Sequence, residues 1–110
     1  MRTTIALESL AALSHPTRLD AFRRLVRYEP EGLSTGQLVE ASGLSQSTFS
    51  SHLAILVAAD LVVPEKRGRQ MIQRANIKAL RELMLFLAKD CCGGRADLCE
   101  PLAAELAECC

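Results

Sequence analysis

A mainly α-helical domain carrying one β-hairpin is the fold class this sequence predicts, and three observations point to it. Apolar residues recur at helical spacing in successive segments separated by Gly, Pro or capping residues. One pair of short β-prone runs flanks a charged turn containing Gly68. The chain has 110 residues, 49% of them hydrophobic and 24% charged, which suits one domain with a single core and not a disordered chain. No internal repeat or linker interrupts it, and the order is four helices, a hairpin and a further helix.

The first helix is predicted over Thr4 to Leu13, where Ile5, Leu7, Leu10, Ala11 and Leu13 are apolar. SHPTRL stops and restarts the chain, because Pro16 suits the first helical position, where its missing N–H costs nothing. The second helix is expected from Pro16 to about Tyr28, with Leu19, Phe22, Leu25 and Val26 inward and Arg18, Arg23, Arg24 and Arg27 mostly outward. Ser34 with Gln37 three residues on fits a capping box for a short helix over Thr35 to Ala41, broken by Gly43. Ser45 is a good N-cap for a helix from Gln46 to about Ala59, whose inward face is Phe49, Leu53 and Leu56.

Leu61 to Pro64 and Gln70 to Arg74 read as strands joined by a turn around Lys66, Arg67, Gly68 and Arg69. After Asn76, another capping residue, comes a helix with Ile77, Leu80, Leu83, Met84, Leu87, Ala88 and Cys91 on one stripe. Leu85 and Phe86 widen its apolar surface beyond what one core requires, which points to a dimer interface. Gly93-Gly94 ends it, and Asp97 to Cys109 suits a short tail helix.

The short helix, the turn at Gly43 and the helix after it form a helix-turn-helix. The exposed start of its second helix displays Gln46, Ser47, Thr48, Ser50, Ser51 and His52, with no carboxylate to repel phosphate. Gln can pair with adenine, and Ser or Thr with bases or phosphates. The same residues would also suit a solvated amphipathic helix with incidental serines. The hairpin shifts that balance, since Lys66, Arg67 and Arg69 at its tip could lie along a phosphate backbone as a wing. No nucleophile and base pair up with an orienting carboxylate, so an enzyme is not expected.

Charge and cysteine usage divide the chain. Residues 1–78 hold ten Lys/Arg against seven Asp/Glu, whereas residues 79–110 hold three against six. All five cysteines fall in the last twenty positions. The opening segment has too short an apolar run for a signal peptide, and no apolar stretch approaches the ~20 residues of a membrane span. A cytoplasmic protein is therefore expected, in which gathered thiols mean metal or redox chemistry and not a disulfide scaffold. The domain reading is residues 1–92 for DNA binding and dimerisation, and residues 93–110 for a cysteine-containing tail.

LSHPTRLDAFRRL, LVEASGLSQSTFSSHLAILVAADLV and EKRGRQMIQRA together resemble the ArsR-type (ArsR/SmtB) winged-helix metalloregulators, over roughly residues 7–90. The resemblance implies a winged helix-turn-helix homodimer, paired through its first and last helices. Such a repressor binds a near-palindromic operator and leaves it when metal binds. By position it assigns Gln46, Ser47, Thr48, Ser50, Ser51 and His52 to the major groove, and Arg67 and Arg69 to the wing. One arsenic site of the family has cysteines in the third helix, where this chain reads STGQL at 34–38. Zinc sensors of the family use Asp and His on the last helix, and Ile77 to Lys89 contains neither.

What remains for an inducer is CCGGRADLC, with Cys91, Cys92 and Cys99. Adjacent cysteines on a continuous helix point about 100° apart, but the glycines that follow let the backbone turn. Three soft thiolates with no further ligand suit trivalent arsenic or antimony, and the pattern resembles the family's C-terminal arsenic-site variant. Cys109 or Cys110 could add a fourth sulfur, which keeps zinc, cadmium and lead open. Cys91 could instead be core, and the vicinal thiols could form a redox disulfide. Of the histidines, His15 is expected to lead into the second helix and His52 to contact DNA.

Overall fold

Helices begin where a side chain can satisfy the loose N–H groups of a first turn, and four of this chain's helices start that way. The computed structural model describes residues 1–90 and 95–109. Its elements are α1 (Thr3–Leu13), α2 (Pro16–Arg27), β1 (Leu33–Ser34), α3 (Thr35–Ser42), α4 (Gln46–Ala58), β2 (Val62–Arg67), β3 (Gln70–Ala75), α5 (Ile77–Leu85) with a π-helical turn over Phe86–Asp90, and α6 (Ala96–Cys109). His15 caps α2, its Nδ1 accepting from the Thr17 N–H at 3.1 Å, and Pro16 takes the first helical position. Ser34 and Gln37 complete the expected capping box of α3, and Ser45 and Asn76 cap α4 and α5.

α4 closes differently from its start. Asp60 takes a left-handed φ of 61°, the Asp60 N–H donates to the Val57 carbonyl, and the Leu61 N–H donates to the Leu56 carbonyl. That pair of bonds is a Schellman motif. It turns the chain sharply enough to send Leu61 and Val62, both fully buried, back under the helix.

The sheet has three antiparallel strands in the order β1-β3-β2, one more than the expected hairpin. β1 pairs Leu33 with Gln73 and Ser34 with Ile72, so Ser34 ends a strand and caps a helix at once. β2 does not stop at Pro64 but runs on to Arg67, pairing Val62 with Ala75 through Arg67 with Gln70. Proline is tolerated there because β2 is an edge strand and needs no second donor row. The turn thereby shrinks to Gly68 and Arg69, with Gly68 at φ 61° in its first position, the pattern of a type II′ hairpin. Lys66 and Arg67, expected in the turn, stand in β2.

The core gathers Phe22 and Leu25 of α2, Leu38 of α3, Phe49, Leu53 and Leu56 of α4, Leu61 after it, and Val62 and Ala75 of the sheet. Fully burying one such side chain contributes roughly 1.5–3 kcal/mol. Leu19, expected inward, is 44% exposed; residue 18 takes the inner position instead. On α1 the small residues Ala6, Ser9 and Ala12 are buried while Ile5, Leu7 and Leu10 are exposed. On α5 Leu83 is buried and Ile77, Ala79 and Leu80 pack on the core, whereas Met84 and Leu85, and Leu87 in the π-helical turn, are exposed. Cys91 lies outside the described residues.

Gly32 sits at φ 73°, and a Cβ built on it would lie 2.5 Å from the Gln73 carbonyl oxygen and 2.8 Å from Ile72 Cγ2. Backbone lies on one side and a buried side chain on the other, so neither conformation nor space admits alanine. Gly32→Ala is expected to lose roughly 2 kcal/mol of stability, read as a lower urea midpoint.

Candidate nucleic-acid interface

The helix-turn-helix is built by α3 and α4. Burial of Phe49, Leu53 and Leu56 turns the opposite side of α4 to solvent, where Gln46, Ser47, Thr48, Ser50 and Ser51 are all exposed. These are not equivalent. Thr48 belongs to the cap, its N–H donating to Ser45 Oγ at 3.3 Å and its hydroxyl accepting from Ser45 at 2.9 Å. Ser51 Oγ donates back to the Ser47 carbonyl at 3.2 Å. The side chains of Gln46 and Ser50, four apart and so on one face, make no hydrogen bond among the described residues. They are the side chains readiest to meet a base edge.

His52, read from the sequence as facing outward, is only half-exposed and leans back on α2. Its ring centroid lies 4.2 Å from that of His15, with the planes tilted by 34°. Arg18 Nη1 approaches its Nδ1 to 3.1 Å. Burial above all, then His15 and Arg18, lowers its pKa from the ordinary histidine value, so the ring is neutral at physiological pH. Arg18 was expected outward, and nothing in local spacing reveals a partner 34 positions away.

The wing cations also separate by role. Arg67 Nη1 donates to the Glu31 carbonyl at 2.9 Å and its Nη2 meets Glu65 Oε2 at 2.9 Å. Arg74 grips Glu29 with two parallel bonds of 3.0 and 2.9 Å, and Glu65 lies 3.7 Å from its Nη1. The hydrogen bond and charge of Glu29, with Glu65 adding to them, raise the Arg74 pKa above its ordinary value. These pairs brace the wing to the loop before β1. Lys66 and Arg69, exposed and without an ion pair among the described residues, are the cations available to phosphate.

No group of three or more His, Cys, Asp or Glu able to hold a metal ion occurs among the described residues. Cys91 and Cys92 lie outside them, and Cys99 stands on α6. No helix among the described residues is long and apolar enough to cross a membrane.

Residues 13–65 match the model of a helix-turn-helix domain. An ArsR-like transcriptional regulator from Rhodococcus sp. RHA1 is similar at 29% identity and a TM-score of 0.71, over 92% of this chain and 89% of that one. A protein described as a possible transcriptional regulator for arsenical resistance is 29% identical with a TM-score of 0.63, over 73% and 80%. The transcriptional repressor BigR from Xylella fastidiosa is 29% identical with a TM-score of 0.62, over 78% and 86%. Among curated proteins, none matches the chain.

On double-stranded DNA, Lys66→Ala and Arg69→Ala are each expected to weaken binding evenly across sequences and to lower the slope of log affinity against log salt by about one. Gln46→Ala is expected to weaken binding to the preferred sequence alone, by about 1–3 kcal/mol. Anisotropy titrations at several salt concentrations read both.

Proposed function

We propose that the chain, whose helix-turn-helix match and ArsR-like structural neighbours point to the ArsR-type family of winged-helix transcriptional regulators, is a homodimeric repressor that leaves a near-palindromic operator when trivalent arsenic, or antimony, binds Cys91, Cys92 and Cys99. The observation that carries the DNA half is α4, whose outer face offers amide and hydroxyl groups without a carboxylate, beside a wing with Lys66 and Arg69 unpaired among the described residues. A binding surface of this composition holds phosphate through charge and bases through short polar side chains.

Dimerisation is supported by two exposed apolar faces. Ile5, Leu7 and Leu10 of α1, with Met84 and Leu85 of α5 and Leu87 of the π-helical turn after it, are too many large side chains to leave in water on a small domain. A second copy covering them would place two α4 helices at a fixed separation, and a near-palindromic site with half-sites ~34 Å apart would read that separation.

The inducer half rests on donor chemistry. Thiolates are soft and select soft ions, three of them satisfy trivalent arsenic, and the described body offers no competing cluster. Cys91 and Cys92 follow in sequence on the π-helical turn that ends at Asp90, and α6 with Cys99 begins five residues after Cys91. The vicinal pair therefore adjoins the helix assigned to the dimer interface. Ligand that binds the off-DNA form more tightly shifts the population toward it, and DNA weakens ligand binding by the same factor.

Cys92→Ser is expected to bind DNA normally yet to need roughly tenfold more arsenite, or greater, for release, a coupling change of about 1.4 kcal/mol. A Cys109→Ser/Cys110→Ser protein is expected to respond as the wild type does. Normal release of the Cys92→Ser protein by arsenite would remove the three-thiol site.

A further inference from the structure

Arg18 reaches three helices from the first turn of α2. Its Nε donates to the Ala12 carbonyl near the end of α1 at 2.6 Å, and its Nη1 lies 3.1 Å from His52 Nδ1 on α4. A guanidinium has donors and no acceptor, so His52 Nδ1 must be the acceptor. The neutral ring then carries its proton on Nε2. That nitrogen has no partner among the described residues. His15 is fixed in the same sense, because its Nδ1 accepts from the Thr17 N–H, and its ring lies against that of His52.

We propose that Arg18 is a positioning residue for DNA recognition, holding His52 as the Nε2–H tautomer so that α4 offers an oriented hydrogen-bond donor at this position and not a cation. The proposal rests on the DNA-binding reading above and deepens it. An N–H donor can discriminate, since guanine presents N7 and O6 and thymine O4 in the major groove, where cytosine presents a donor. An imidazolium would instead add charge that attracts any phosphate, strengthening binding without regard to sequence. Holding the ring neutral thus favours selectivity.

Arg18 acts on the ring in two ways that agree. Its hydrogen bond requires an unprotonated Nδ1, and its charge opposes a second charge on His52. The lock therefore holds at neutral pH and is lost as acid protonates Nδ1. It also ties the reading helix to the end of α1, so that His52 is placed by a contact between helices and not by α4 alone.

Two measurements test this. A long-range proton–nitrogen NMR spectrum of the full chain at pH 7.5 is expected to show His52 protonated at Nε2 with a bare Nδ1. A double-mutant cycle on operator DNA is expected to give a loss of about tenfold for Arg18→Met with His52 present, but of under about twofold in a His52→Gln background, where the amide supplies the donor without a tautomer to fix. Equal losses in both backgrounds, or a His52 protonated at Nδ1, would overturn the proposal. The wild-type spectrum keeps it falsifiable even where Arg18→Met fails to fold. A protein with the expected tautomer that binds no DNA would overturn the DNA reading and the role of Arg18 with it, whereas an Nδ1–H tautomer in a DNA-binding protein would overturn the role of Arg18 alone.

Discussion

Burial of the Phe49, Leu53 and Leu56 face of α4 is the constraint on which everything else in this molecule hangs. Those three side chains join α4 to α2 and to the sheet in one core, and by doing so they choose which side chains face outward. A helix has only one face to give to the core. Once it is apolar, the polar residues Gln46, Ser47 and Ser50 must point to solvent, and their distance from the wing is set by the short path through Asp60 and Leu61. The Schellman closure at Asp60 makes that path rigid, since its two hydrogen bonds leave little freedom between the end of α4 and β2.

The wing adds charge to this head, but only part of its charge. Glu65 and Glu29 neutralise Arg67 and Arg74 and tie β2 and β3 to the chain before β1. Such ion pairs on a largely exposed sheet add little stability. Their consequence is geometric: the ribbon is held at one angle to the body while Lys66 and Arg69 remain available for phosphate. A sequence with zero formal net charge can accordingly present a basic face, because six of its thirteen acidic residues stand in residues 79–110 and Glu29 and Glu65 brace arginines.

Much of this was legible in the sequence, for identifiable reasons. Capping is a local signal, so Ser34, Ser45 and Asn76 marked helix starts correctly from residue type alone. Phe49, Leu53 and Leu56 were legible because helical periodicity over two turns leaves little choice. β1 was not, since two residues show no periodicity and the same Ser34 already reads as a cap. Leu19 and Arg18 exchanged their expected places because a side chain that makes two directed hydrogen bonds can displace a leucine from the inner position, and those partners, Ala12 and His52, lie on other helices. The split of the wing arginines into braces and free cations likewise depends on Glu29 and Glu31, distant in sequence. The expected ligands Cys91 and Cys92 lie outside the described residues, so their assignment stands on donor chemistry and position in the chain.

The most direct measurement is a fluorescence-anisotropy titration of the wild-type protein on DNA from upstream of its own gene, under reductant, with arsenite and then zinc added to the complex. Binding by two chains per site that weakens steeply with salt is expected, followed by release at near-stoichiometric arsenite and no release by zinc. Tight binding indifferent to arsenite would contradict the inducer assignment, and an absence of salt-sensitive binding would contradict the reading of the whole surface.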